Sequence, residues 1–186
     1  MKRIVILASG SGTLAQAIFD AHLPADIVAV ISDRTDAAVL DRAQKAHIET
    51  FTVPMLPDRA EWDRELETLI AALRPDLVVS AGFMRILSER ITTRFKIINS
   101  HPALLPLFPG AHAVRDALAA GATETGTTIH WVDAGVDTGQ VIAQERVPIL
   151  PEDTEESLHE RIKIVERGLI VATIASLLVH LEKTHG

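Results

Sequence analysis

The first half of the chain alternates short apolar runs with amphipathic patterns. The apolar runs are rich in β-branched residues, as in strands buried on both faces, and predict strands at residues 3–8, 26–32, 48–53, 76–80 and 95–99. A 3.6-residue periodicity predicts helices at residues 14–22, 37–47 and 59–73. Strands that alternate with helices are typical of a parallel sheet covered on both faces.

The second half has a different pattern. A helix is predicted at 111–120, followed by two longer strands at 125–132 and 140–147 that are joined by a turn-rich loop. Asp153 and Glu156 resemble a capping box, and apolar residues from Leu158 to Leu181 then follow one face of a long terminal helix. The sequence therefore predicts an α/β fold: a Rossmann-like open, mostly parallel twisted sheet with helices on both faces, two added antiparallel strands and a long C-terminal helix.

Length and composition narrow the class of protein. With 186 residues, of which 47% are hydrophobic, the chain fits a single domain with a sizeable core. The chain contains no cysteine, and its apolar start is too short for an export signal, so a cytoplasmic protein without a membrane segment is expected. A net charge of −7 without a basic block disfavours a nucleic-acid partner but leaves a small anionic ligand open.

The chain's main candidate site follows the predicted strand at 95–99. Asn99 and His101 are two residues apart, so an extended backbone points both side chains to one face, and Pro102 ends the strand. An amide donor beside an imidazole that can be protonated near pH 7 could stabilise an oxyanion. A polar strand end that leads into a proline-rich loop explains these residues equally well.

A second candidate is the glycine-rich turn at residues 9–13, between a strand and a helix. Such a turn presents backbone N–H groups to an anion at a helix N-terminus, and we favour a phosphate site over a simple tight turn. The segment 10–15 also matches the G-x-G-x-x-G/A dinucleotide pattern, and Asp33 ends the second strand where an acid would bind a ribose. A nucleotide-binding, dehydrogenase-like module that uses Gly10, Gly12 and Asp33 therefore remains an alternative.

Other polar residues have ordinary explanations as well. The apolar loop at 81–87 carries Arg85 and could line a pocket for a flat ligand or could simply be packed. Asp137 could orient an imidazole, but Asp beside Gly is usually a turn former. His130 falls within a predicted strand, and the histidines lack the spacing of a zinc site, so no metal is expected. Lys163 and Glu166 are expected to form a solvated ion pair on the last helix.

Several of these segments together resemble a known family. The run from Asn99 to Pro106, followed by Asp137 in an Asp-Thr-Gly, is similar to the folate-dependent formyltransferases. The segments at 8–13 and 81–87, with Pro109-Gly110, narrow the resemblance to the phosphoribosylglycinamide formyltransferase family. The likeness covers nearly the whole chain, and its first loop together with the segment 84–87 is the more specific part.

The resemblance implies a reaction, in which the amine of glycinamide ribonucleotide takes the formyl group of 10-formyltetrahydrofolate in de novo purine biosynthesis. It implies one formyltransferase domain over residues 1–186, with a nucleotide-binding half at 1–100 and a second half at 101–186 that carries the folate site and the C-terminal helix. Both substrates are small molecules, neither a metal nor a covalent enzyme intermediate is required, and a homodimer is compatible with the resemblance.

The resemblance also assigns roles to individual residues. Asn99 and a protonated His101 would stabilise the oxyanion, and Asp137 would orient His101 and help remove the amine proton. The residues implied at the ribonucleotide phosphate are Ser11, Gly12, Thr13 and Leu14. The residues implied at the ribonucleotide by a weaker match are Arg59, Lys163 and Glu166. The residues implied at the folate are Met84, Arg85, Ile86, Leu87, Asp133 and Val136.

Two details of the resemblance bear on the structure. Leu14 stands where many family members carry Asn, which matters for phosphate affinity only if that side chain takes part. The family also implies a cis peptide bond before Pro106. Within the superfamily, a formyltetrahydrofolate hydrolase is an alternative, formyl transfer to initiator tRNA is disfavoured by the negative charge, and the presence of Asn99, His101 and Asp137 together argues against an inactive binding protein.

Overall fold

The computed structural model describes residues 1–183 and contains seven strands and six helices in this range. The strands are β1 (Lys2–Leu7), β2 (Ala25–Ser32), β3 (Thr50–Thr52), β4 (Leu77–Ser80), β5 (Ile97–His101), β6 (Glu124–Trp131) and β7 (Val141–Pro148). The helices are α1 (Thr13–Asp20), α2 (Ala38–Lys45), α3 (Arg59–Leu73), α4 (Glu89–Arg94), α5 (Ala113–Ala119) and α6 (Glu155–Lys183).

All seven strands form one sheet in the order β3-β2-β1-β4-β5-β6-β7. The pairs among β1 to β5 are parallel, whereas β6 runs antiparallel to both β5 and β7. The predicted fold class is therefore confirmed. The strand order reverses between β1 and β4, and in open parallel sheets such a switch point, at the carboxyl ends of the strands, is where ligands bind.

Two apolar layers cover the sheet and explain the uninterrupted apolar runs. On β1, Ile4 and Ile6 face a cluster that includes residues of α1, α2 and α6, whereas Val5 and Leu7 face a cluster with α3 and α4. Because alternate residues of a central strand point to opposite covered faces, every position must be apolar. Trp62 anchors the second layer: it is fully buried, and its indole N–H donates to the Val53 carbonyl at 2.8 Å.

Apart from shifts of one or two residues at the ends of other elements, the structure differs from the predictions in three places. Helix α4 was not predicted, because its sequence is polar apart from the buried Ile91. Strand β5 extends beyond Asn99 to His101, where it pairs with β6. The capping box predicted from Asp153 and Glu156 is wrong.

The start of α6 is capped by a different pair of residues. Thr154 and Ser157 exchange backbone-to-hydroxyl bonds of 3.0 and 3.1 Å. Asp153 accepts from the Leu150 N–H at 2.7 Å and pairs with Arg161. Within residues 1–183, no helix is both long and apolar enough to cross a membrane. The same part of the chain has no group of three or more acidic, histidine or cysteine side chains arranged to hold a metal ion.

Candidate active site

The carboxyl end of β5 presents its polar side chains to two faces of the sheet. Asn99 and His101 alternate with Ser100, which therefore points the other way. The antiparallel register places Asn99 opposite His130 of β6, and the Asn99 Nδ2 lies 3.3 Å from the His130 Nε2. Asn99 and His101 therefore share one face of the sheet, as predicted, and His130 lies beside Asn99 on that face.

His101 is 4% exposed and has an oxygen acceptor near each ring nitrogen. Its Nε2 lies 2.8 Å from the Phe108 carbonyl, which can only accept, so this nitrogen carries a hydrogen. Its Nδ1 lies 3.4 Å from the Asp137 Oδ2. The ring therefore donates its Nε2–H to the Phe108 carbonyl and turns Nδ1 towards the Asp137 carboxylate.

Asp137 meets His101 through the loop between β6 and β7. Its backbone φ is 54°, a left-handed conformation that Asp adopts more readily than most residues. Burial raises the pKa of the Asp137 carboxyl, but the His130 ring, the Gly110 N–H and the charge of His101 outweigh burial and hold the pKa below its usual range. The Gly110 N–H donates to Oδ2 at 2.9 Å. Asp137 is therefore a carboxylate at neutral pH.

His130 is a member of this cluster that the sequence did not identify. It is 2% exposed, its Nδ1 donates to the Trp131 carbonyl at 2.9 Å, and its Nε2 lies 3.6 Å from the Asp137 Oδ1. Its Nε2 thus lies between the Asn99 amide and the carboxylate. Pairing β5 with β6 in the right register would have revealed His130, but the long loops on either side leave that register undetermined by sequence.

The glycine-rich loop is built around a left-handed residue at the start of α1. Gly12 has φ 77°, and a Cβ there would collide with Val39 of α2. The loop is also tied to α2, because the Val39 N–H donates to the Gly10 carbonyl at 3.1 Å and the Arg42 Nε–H donates to the Ser11 carbonyl at 2.7 Å. The helix N-terminus that follows leaves its first N–H groups without intrahelical partners, as an anion site requires.

Leu14 packs away from that loop into the core. Its side chain is 8% exposed and belongs to the cluster between α1, α2 and α6. Any contact of this position with a phosphate would therefore be made by its backbone N–H.

The loop at 81–87 follows β4, beside the glycine-rich loop. Met84 and Ile86 are 73% and 59% exposed, whereas Leu87 is 6% exposed and packs into the core. Val136, in the loop after β6, is 47% exposed. Exposed apolar side chains in two loops at the site are the kind of surface that a flat, largely apolar ligand covers.

Asp133 acts as a turn former in the loop that carries Asp137. Its Oδ1 accepts from the Thr138 hydroxyl at 2.6 Å and from the Gly135 N–H at 3.0 Å. The Thr138 and Gly135 bonds lower the pKa of the Asp133 carboxyl. Asp133 thus holds the loop in shape by its side chain, and its predicted folate contact stays a prediction.

The carboxylate of Asp33 has partners on both oxygens. The Ser9 hydroxyl donates to Oδ1 at 2.6 Å, and the Arg85 Nε–H donates to Oδ2 at 2.6 Å. The side chain is 1% exposed. A ribose diol would have to displace both partners, which argues against the dinucleotide alternative.

The structure places Arg59 beside the 81–87 loop. Its guanidinium lies 4.7 Å from the centre of the Trp62 ring, pairs with Asp63, and donates to the Ile86 carbonyl. This position is close to the predicted folate loop, and contact of Arg59 with a ribonucleotide stays a prediction.

Lys163 and Glu166 lie on α6 but do not form the ion pair expected from sequence. The Lys163 Nζ binds Glu160 at 2.9 Å. Glu166 is half-buried near Ser100, on the sheet face opposite His101. Burial raises the pKa of the Glu166 carboxyl, and the nearby Ser100 hydroxyl opposes that shift.

Residues 2–174 match the model of the formyl transferase family. The chain is 50% identical over 185 residues to a phosphoribosylglycinamide formyltransferase of Mycobacterium tuberculosis, covering 96% of this chain and 86% of that protein. It is 39% identical over 180 residues to the Escherichia coli protein of the same name, covering 92% and 85% of the two chains.

Solved structures agree with these relatives. The crystal structure of glycinamide ribonucleotide transformylase 1 from Symbiobacterium toebii superposes with a TM-score of 0.91 at 42% identity, covering 94% of this chain and 86% of that chain. A matching family model, relatives in sequence and neighbours in structure agree over nearly the whole length. The chain therefore belongs to the formyl transferase family, as the resemblance of its motifs predicted.

Proposed function

We propose that the chain transfers the formyl group of 10-formyltetrahydrofolate to the amine of glycinamide ribonucleotide in purine biosynthesis, in the cytoplasm. The observation that carries the proposal is the position of His101 between the Phe108 carbonyl and the Asp137 carboxylate. In this position, a protonated His101 would stabilise the negative charge that develops on a formyl oxygen.

The donor atoms for that oxyanion follow from the hydrogen bonds. The His101 Nε2–H is bound to the Phe108 carbonyl at 2.8 Å. The Nδ1–H is held weakly, because the Asp137 Oδ2 lies 3.4 Å away, and it is the hydrogen available to a substrate oxygen. The Asn99 amide, whose Nδ2 lies 3.3 Å from the His130 Nε2, would supply the second donor.

Asp137 has two roles in this proposal. Its charge favours the imidazolium of His101, and its lowered pKa keeps it ionised as an acceptor for the proton that leaves the attacking amine. The amine is itself the nucleophile, so the enzyme supplies position and preorganised charge, and these residues need no metal for the step.

The two substrates are assigned to neighbouring loops. The backbone of Ser11, Gly12, Thr13 and Leu14 would hold the ribonucleotide phosphate at the N-terminus of α1. The segment 84–87 and the loop that carries Asp133 and Val136 would bind the folate. We propose residues 1–186 as one domain, with a nucleotide-binding half at 1–100 and a second half at 101–186 that carries part of the folate site.

The direct test is to supply purified protein with both substrates and identify the products. We expect formylated ribonucleotide and tetrahydrofolate in equal amounts, and no turnover when the ribonucleotide is omitted. Formate released without the ribonucleotide would instead identify a hydrolase. Absence of any product, from protein whose folding is verified by its melting transition, would contradict the proposal.

A further inference from the structure

Asp33 is a buried carboxylate that connects two loops rather than facing a ligand. Its side chain is 1% exposed, and it bonds the Ser9 hydroxyl and the Arg85 guanidinium, each at 2.6 Å. Ser9 opens the glycine-rich loop and Arg85 lies in the loop after β4. The carboxylate therefore joins segments that are 24 and 52 residues from it along the chain.

Ser9 continues the connection between the loops. Its hydroxyl accepts from the Met84 N–H at 2.8 Å while it donates to Asp33. Its own N–H donates to the Gly82 carbonyl at 3.1 Å. The glycine-rich loop and the 81–87 loop are thus connected directly through Ser9 and indirectly through Asp33.

The arrangement is charge-assisted and leaves little freedom. A buried carboxylate is costly unless its oxygens are bonded, so Asp33 holds Ser9 and Arg85 more firmly than a neutral acceptor would. The Arg85 side chain remains 39% exposed, so its far side is open to a ligand. The buried Asp33 carboxylate therefore holds the Arg85 guanidinium on its inner side.

We propose that Asp33 is a positioning residue that sets the distance between the glycine-rich loop, assigned to the ribonucleotide, and the 81–87 loop, assigned to the folate. The inference rests on the proposed function for its kinetic consequence. Transfer between two bound substrates requires their reacting atoms to approach within about 3–3.5 Å, and small misplacements are expensive in rate. Asp33 acts through Ser9 and Arg85, without touching either substrate.

Asp33→Asn is the variant that tests this role, because it keeps the size and removes the charge. The matched control is Glu67→Gln. Glu67 is also a buried carboxylate, 7% exposed, and it binds Arg90 and Arg94 at 2.9 Å, so it joins α3 to α4 rather than one loop to the other. Both variants lose a similar network of charges, and only the first changes the site.

The kinetic measurement is kcat/KM for each substrate in turn. We expect Asp33→Asn to lower both values by about tenfold or more, by a similar factor, because both loops lose the same restraint. Glu67→Gln should keep both values within about twofold of the unchanged protein, even if its melting temperature falls as much as that of Asp33→Asn. Equal kinetics in the two variants would overturn the proposal.

Amide hydrogen exchange provides a test that does not need activity. We expect faster exchange at residues 9–13 and 82–87 in Asp33→Asn, and no change there in Glu67→Gln. If the unchanged protein transfers no formyl group, the proposed function fails while this measurement still decides the role of Asp33. Unaltered exchange in both loops would contradict it.

Ser9→Ala covers the case in which Asp33→Asn does not fold. It removes the hydroxyl that bridges Asp33 and Met84 but keeps the pair between Asp33 and Arg85. The same pattern, faster exchange in both loops and a parallel loss of kcat/KM for both substrates, is expected with smaller size. A loss confined to one substrate and one loop would refute the link.

Discussion

The two polar regions at the carboxyl edge of the sheet are built in opposite ways. The glycine-rich loop offers backbone N–H groups, placed by a left-handed Gly12 and by contact with α2. The cluster of Asn99, His101, His130 and Asp137 offers side chains, placed by the pairing of β5 with β6 and by one loop. One depends on local conformation, and the other depends on distant contacts.

The difference decides which substitutions each region tolerates. The backbone of the loop can bind an anion whichever side chain it carries, and accordingly Leu14 is free to pack in the core. In the cluster each side chain has a particular proton-bearing or charged atom facing another, so no member can be exchanged without leaving a buried partner unsatisfied. Substitutions in the glycine-rich loop should mainly lower stability, whereas substitutions in the cluster should mainly lower the rate of the reaction.

His101→Ala should have the largest effect of the substitutions considered. It removes the proposed imidazolium donor, and loss of an oxyanion donor costs about 100- to 1,000-fold in kcat. Steady-state kinetics with both substrates checks this. Binding of the ribonucleotide, measured by calorimetry, should change little, because the loop proposed to hold its phosphate is untouched. A variant that keeps most of its kcat would break the contrast between the two regions.

Gly12→Ala should damage the loop through its backbone. A side chain at φ 77° that also meets Val39 should cost about 2 kcal/mol or more of unfolding free energy. Gly10→Ala is the control, because a Cβ there has nothing within 4 Å. Urea denaturation of both variants measures the difference. Equal stability would show that the conformation of Gly12 is not what holds the loop.

Asp137→Asn should give a pH-dependent loss of stability. The pKa of Asp137 is lowered on folding, so its carboxylate stabilises the fold above its unfolded pKa of about 4, and this contribution is lost as the pH falls through the lower folded pKa.

The variant should therefore be about 1.5 kcal/mol less stable than the unchanged protein at pH 7, and the gap should close towards pH 3. Urea denaturation at several pH values measures it. The Gly12→Ala defect should stay constant over the same range, and a constant gap for Asp137→Asn as well would remove the electrostatic distinction.

Glu166→Gln should have the smallest effect, with the opposite sign. Burial raises the pKa of Glu166, so its ionisation above an unfolded pKa of about 4.3 opposes folding. The variant should gain about 0.5 kcal/mol at pH 7 and nothing at pH 4. Weaker ribonucleotide binding at the same time would support the predicted contact of Glu166 with that substrate, and tighter binding would contradict it.

Sequence reasoning recovered the sheet and the helices because their patterns are local. The apolar run of β1 and the apolar stripe on α3 predict which residues are buried, and the glycines of the glycine-rich loop predict a turn. Helix α4 was not predicted because only Ile91 is buried in it, which leaves no apolar stripe. The meeting of His101 with Asp137 came from family resemblance, since no local pattern encodes a contact 36 positions apart along the chain.

The contacts of His130 and Asp33 could not be derived from the sequence for the same reason. His130 shows only that it belongs to a strand, and its partners appear when the register of β5 and β6 is known. Asp33 has the sequence position of a ribose-binding acid. Its bond to Arg85, which argues against that role, is visible only in the folded structure. Long-range pairing is where sequence pattern stops being informative.

The bond between Asp33 and Arg85 also restricts the order in which the molecule can assemble. Closing a contact over 52 residues must follow synthesis of the fourth strand and the loop after it. Until Arg85 has left the ribosome, a nascent chain that buries Asp33 would bury a charge without its cation. The N-terminal strands are therefore expected to fold together with β4 as one cooperative unit. Truncated chains that end before residue 85 should stay unfolded.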